Sequence, residues 1–106
     1  MPASSLTAYR LTPAARNDLE DIWLYTAKRW SMVQADRYTD ILEDTFDRLL
    51  FMPEMARERP EFDPPVRIQP SAEHLIIYRI EEGRLVILRI LGAGQDWQAI
   101  LRAVDQ

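Results

Sequence analysis

The stretch Glu73–Leu91, EHLIIYRIEEGRLVILRIL, decides the fold. Over Glu73–Glu81, Leu75, Ile77 and Arg79 fall on one side, and Ile76, Tyr78 and Ile80 on the other. That period of two belongs to a β-strand. Glu82-Gly83 interrupts it as a turn, with glycine supplying the positive φ of a tight hairpin. Arg84–Leu91 then runs almost continuously apolar, as a strand buried on much of both faces does. Gly92-Ala93-Gly94 ends the second strand. Asp96 is placed to cap a short final helix carrying Trp97, Ile100 and Leu101.

Working back from the hairpin, Val66–Pro70 is a further short strand. Met52–Pro65 is an irregular link, with Pro60, Pro64 and Pro65 following Pro53. Before it the period becomes helical. Ala35, Tyr38, Ile41, Leu42, Thr45, Phe46 and Leu49 recur at three and four, which predicts a helix over 32–51. Ser31-Met32-Val33-Gln34 opens it as a capping box, and Pro53 closes it. Ala15, Leu19, Ile22, Trp23, Thr26 and Trp30 form the apolar face of an earlier helix over 13–29. Thr12-Pro13 starts that helix, because threonine caps free N–H groups and proline lacks the donor that would be orphaned. The opposite side carries Arg16, Asp18, Glu20, Asp21 and Lys28. So short a connection between the two makes an antiparallel helical hairpin. A strand over Thr7–Leu11 begins the chain. The order is β-α-α-β-β-β with a C-terminal helix: one α+β domain over 1–106, a helical hairpin on a small, mostly antiparallel sheet.

Composition narrows the function. The chain has 106 residues, 47% hydrophobic and 28% charged, as expected of one ordinary domain. No apolar run reaches the roughly 18–20 residues of a membrane span, and Met1–Thr7 lacks the features of a secretory signal. Cysteine is absent, which excludes disulfides and thiolate metal sites and fits a cytoplasmic location. Thirteen basic residues against seventeen acidic ones leave a net charge of −4. A protein that grips nucleic acid through its phosphates is expected to be basic, so direct nucleic-acid binding is not expected here.

Several stretches resemble ParE-type toxins of the RelE/ParE superfamily. Ala14–Tyr25, AARNDLEDIWLY, is similar to the first helix of that family, and Gln34-Ala35-Asp36-Arg37-Tyr38 to the opening of the second. The similarity continues through Val66-Arg67, His74–Arg79 and Val86–Leu91, with Asp96 shortly after, and covers about residues 8–101. The resemblance implies the toxin half of a toxin–antitoxin pair. Such a toxin is neutralised by a ParD-like antitoxin whose C-terminal segment wraps it, and when free it poisons DNA gyrase. Two positions depart from the pattern. Gly92 stands where many relatives carry histidine after the last strand, and Pro64-Pro65 replaces a proline-glycine pair.

The RelE branch of the same fold cleaves messenger RNA, so a ribonuclease is the enzymatic alternative. Cleavage without a metal needs a base, an acid and cations at the phosphate. Arg67, Arg79 and Arg89 could supply the cations, with His74, Glu81 or a tyrosine for proton transfer. No tyrosine or histidine follows Tyr78, where RNA-cleaving relatives place them, and this favours the non-enzymatic reading. Arg79 and Arg89 fit equally well as pairs with acidic neighbours. An inert, antitoxin-binding relative is the third possibility. His74 reads as a residue bonded locally at a sheet edge, and Asp18 and Asp21 as solvated helix surface. With one histidine and no cysteine, no metal site or cofactor is expected.

Two packing expectations follow. Trp23, Trp30, Tyr38 and Phe46 are core residues, with Trp23 and Phe46 between hairpin and sheet. Ile76, Tyr78, Ile80, Val86, Leu88 and Ile90 should share one sheet face, with Leu75, Ile77, Leu85 and Ile87 on the other. A helical hairpin covers one face only. An antitoxin helix or strand is expected to cover the other face or the groove beside the hairpin, with Arg67, Arg79 and Arg89 pairing its acidic residues.

Overall fold

The structure is a computed structural model that describes Leu6 and residues 8–104. Its elements are β1 (Tyr9–Leu11), α1 (Pro13–Arg29), α2 (Met32–Phe51), β2 (Glu58–Arg59), β3 (Val66–Ser71), β4 (His74–Glu81), β5 (Arg84–Gly92) and α3 (Trp97–Val104). Both long helices occupy the expected spans. Thr7, expected in the first strand, lies outside the described residues. The sheet order is β1-β5-β4-β3-β2, with β1 parallel to β5 and the other neighbours antiparallel. β2, two residues inside the proline-rich link, is an addition to the expected order.

Local chemistry sets the helix starts. Thr12 Oγ1 accepts the amide of Ala15 at 3.1 Å, and its own hydroxyl donates to the Leu88 carbonyl at 2.8 Å. One side chain thus caps α1 and ties it to β5. Ser31 Oγ accepts the amide of Gln34 at 3.0 Å and opens α2. At the β4–β5 turn, Glu82 and Gly83 both have positive φ, 50° and 75°, as a two-residue hairpin loop requires.

The sheet departs from simple alternation at one residue. Ile77 stands opposite Arg89 and Tyr78 opposite Ile87, which leaves Leu88 as an extra residue, a β-bulge. Because side chains alternate with a period of two, one extra residue exchanges the faces of everything beyond it. The expected grouping is therefore corrected. Ile76, Tyr78, Leu85, Ile87 and Ile90 face the helices and join Leu42, Phe46 and Leu49 in the main core. Leu75, Ile77, Leu88 and Leu91 lie on the other side with Phe62, Val66, Trp97, Ile100 and Leu101. The second face is covered in large part by α3 and the link, not left open for a partner.

The aromatic expectations divide. Phe46 is fully buried and meets the Tyr9 ring edge-on at 5.4 Å. Trp23 is only half-buried, and its indole N–H donates to Asp36 Oδ1 at 2.8 Å across the helical hairpin. Tyr38 is half-buried as well. Trp30 is 70% exposed. It caps the C-terminus of α1 at the hairpin tip, where the helical stripe continues but its backbone leaves the helix. Ile41, expected in the α2 stripe, is also exposed.

Candidate functional site

A groove of about 710 Å³ runs between the C-terminal half of α1, the start of α2 and the ends of β4 and β5. Its walls include Ile22, Tyr25, Trp30, Tyr38, His74 and Arg89. Two polar arrangements face it.

The first joins α1 to β5. Arg89 Nε donates to Asp18 Oδ2 at 2.7 Å, and Arg89 Nη2 to Asp18 Oδ1 at 2.9 Å. The two side chains are only 18% and 12% exposed. Asp18 Oδ2 also accepts the amide of Ile90 at 2.9 Å. This pair occupies the part of β5 beyond its pairing with β1, which ends at Ile87. There Thr12, Asp18 and Gln95 side chains take the place of a neighbouring strand, bonding the Leu88 carbonyl and the Ile90 and Gly92 amides. A carboxylate hydrogen-bonded to a guanidinium favours its charged form, and the Arg89 pKa is raised accordingly.

The second joins α2 to β4. The Tyr38 hydroxyl accepts the amide of Glu73 at 3.0 Å and lies 2.7 Å from His74 Nδ1. The hydroxyl keeps its proton and a second lone pair, so the contact fits either Tyr38 O–H donating to an unprotonated Nδ1 or Nδ1–H donating to the hydroxyl, according to the His74 tautomer. Burial lowers the His74 pKa and raises that of Tyr38. His74 is therefore hydrogen-bonded to a side chain of α2 and sits on the central strand, not bonded locally at a sheet edge as expected. The partner, 36 residues earlier, was not foreseeable.

The three arginines singled out in the sequence do not converge. Arg89 lines the groove. Arg67 Nη1 donates to the Ala56 carbonyl at 2.7 Å and secures the link after α2. Arg79 lies on the face away from the helices, with Nε 3.4 Å from Glu81 Oε2, and that Nε, shielded from solvent, has no hydrogen-bond partner. Asp18 corrects the expectation of a solvated acidic pair, because it is the largely buried anchor of Arg89. Spacing along α1 carried no sign of this. Only the tertiary contact with β5 reveals it. Among the described residues, no group of three or more histidine or acidic side chains is arranged to hold a metal ion.

Residues 9–97 match the family model described as ParE toxin of type II toxin–antitoxin system, parDE. The chain belongs to the ParE toxin family. Among its relatives is Toxin ParE1 of Mycobacterium tuberculosis (strain CDC 1551 / Oshkosh), 35% identical over 89 residues, or 83% of this chain and 91% of the relative. Toxin ParE1 of Caulobacter vibrioides is 32% identical over 93 residues, covering 88% and 96% of the two chains. A solved structure titled "Chromosomal ParDE TA system from P. aeruginosa" shares the fold with a TM-score of 0.72 at 18% identity, covering 85% of this chain and 98% of that one. In this ParE-family chain the position after Leu91 is Gly92. A Cβ there would lie 3.1 Å from Gln95 Oε1, so the Gln95 side chain fills the space a larger residue would enter. Among the described residues, no helix is long and apolar enough to cross a membrane.

Proposed function

We propose that this ParE-family toxin is neutralised by a ParD-like antitoxin and, when free, inhibits DNA gyrase by binding it in the cytoplasm rather than by cutting RNA. Family membership over residues 9–97 is the observation that carries this reading. The groove supports its non-enzymatic part. Arg89 is committed to Asp18, and His74 Nδ1 to Tyr38. β5 ends at Gly92 and is followed by Ala93 and Gly94, none of which carries an acid–base side chain. Losing proton transfer forfeits roughly 10²–10⁴ in rate, and arginine cannot accept a proton from a 2′-hydroxyl near neutral pH. In the antitoxin complex, Arg67, Arg79 and Arg89 would meet acidic antitoxin residues through guanidinium N–H groups other than those engaged by Ala56, Glu81 and Asp18.

Expression without the antitoxin tests both outputs together. Gyrase inhibition gives a DNA-damage response, intact messages and reduced supercoiling by purified gyrase. Rapid message cleavage with normal supercoiling would establish the ribonuclease instead, and healthy growth with neither effect an inert relative.

A further inference from the structure

The solvent side of α2 carries a seam of its own. Arg37, Ile41, Asp44, Arg48, Phe51 and Met55 recur at alternating intervals of four and three, the spacing of a coiled-coil contact line. The core side of the same helix uses Ala35, Leu42, Thr45, Phe46 and Leu49, all of them buried. At about 100° per residue the two lines lie on roughly opposite sides of the helix. The helix α1 adjoins a different side again, where Trp23 bonds Asp36. The outer line is therefore open. Ile41, Phe51 and Met55 are 47%, 72% and 45% exposed, and Arg37, Asp44 and Arg48 are exposed as well.

This line is its own complement. Turned end over end about the height of residue 46, it sets Asp44 opposite Arg48 and Ile41 opposite Phe51. Arg37 then meets the turn after the helix, where Glu54 and Met55 are exposed. Each contact occurs twice, as a two-fold axis requires: where one residue meets a second, the second meets the first. A parallel pairing would instead set Asp44 against Asp44 and Arg48 against Arg48, and like charges in register are costly. The charges are available for such a contact. Neither Arg37 nor Asp44 has an ion-pair partner among the described residues. Arg48 gives an N–H to Thr45 Oγ1 at 3.0 Å, one of the five donors of its guanidinium.

We propose that the outer line of α2 is a self-association surface, on which a second copy of this chain packs its own α2 antiparallel. Two Asp44–Arg48 pairs flank the axis, and two Ile41–Phe51 contacts lie outside them. The apolar contacts drive association by removing exposed surface from water, and the charged pairs fix direction and register. The 20 residues of α2 make a contact about 30 Å long. One helix pair falls short of the roughly 1,200 Å² of a standard stable interface, so the dimer is weak, with a Kd on the order of 10–100 µM. The antitoxin and gyrase readings above do not enter this argument.

The test is sedimentation velocity of the full chain, from about ten-fold below to about ten-fold above that Kd, with folding checked by circular dichroism. The sedimentation coefficient should rise with concentration toward that of a dimer. D44R sets arginine against Arg48 of the second copy, and R48D sets aspartate against its Asp44. Each should weaken self-association at least ten-fold. Mixing the D44R and R48D chains should restore it, because every Asp44–Arg48 contact across the mixed pair is again opposite in sign. Phe51→Ser, at a side chain outside the core, should weaken it by a similar factor. Should R48D fail to fold on losing its bond to Thr45, D44R and Phe51→Ser carry the test. A chain that stays monomeric throughout overturns the proposal, as does a dimer that D44R and Phe51→Ser leave within three-fold of the original. A monomeric chain whose antitoxin complex is weakened ten-fold by D44R would assign the line to the antitoxin instead.

Discussion

Asp18 and Arg89 are 71 residues apart and meet fork to fork, and the same carboxylate holds the amide of the residue after its partner. This contact fastens the first helix to the far end of the last strand. Breaking one side of a largely buried ion pair leaves the other charge uncompensated. Asp18→Ala should therefore cost about 2–4 kcal/mol in urea unfolding. D18N/R89M should recover part of that loss, and additive losses would show that the two side chains act independently.

Phe46 and Trp30 give opposite expectations from similar chemistry. Phe46→Ala empties a fully buried site and should cost roughly 3–5 kcal/mol. Trp30→Ala, at the exposed tip, should stay within about 0.5–1 kcal/mol. Equal losses from the two would contradict the packing described.

Thr12 caps α1 and bonds the carbonyl of the bulge residue. Thr12→Val keeps the shape and removes both bonds, so a loss of about 1–2 kcal/mol is expected. Thr12→Ser keeps the oxygen and should lie closer to the original chain by thermal melting.

The His74 pKa is lowered by burial, so the neutral imidazole is the form the fold holds. The unfolded chain binds the proton more readily. This contribution is complete above the ordinary histidine pKa of about 6.5 and is lost as pH falls from there through the lowered value. His74→Asn can still accept from Tyr38 and does not titrate. Stability measured from pH 8 to 5 should fall more steeply for the original chain than for His74→Asn, and parallel curves would exclude this contribution.

Much of the architecture is legible in the sequence because its signals are local. Thr12-Pro13 and Ser31 mark the helix starts, and Glu82-Gly83 marks the turn. The bulge is not legible. Val86–Leu91 is apolar at every position but one, so no polar residue records on which side the alternation slips. Trp30 keeps the spacing of the α1 stripe and is misplaced by periodicity, which cannot tell where the sheet ends beneath a helix. Asp18 looks like any surface carboxylate on α1 until β5 is brought beside it. The arginines could be nominated by type, but their dispersal to three separate environments depends on strand register, which no local signal records.

The placement of the three tryptophans gives the molecule an optical footprint of its own. Trp30 is exposed at the hairpin tip, Trp23 is half-buried between the helices, and Trp97 lies on the opposite face, with its ring centroid 5.8 Å from the Arg59 guanidinium carbon. Chains retaining one tryptophan each would report by emission wavelength which region a bound protein dries. A partner covering the groove would shift Trp30 to the blue, and one covering the face away from the hairpin would shift Trp97. Contact surfaces could then be distinguished in solution without any added label.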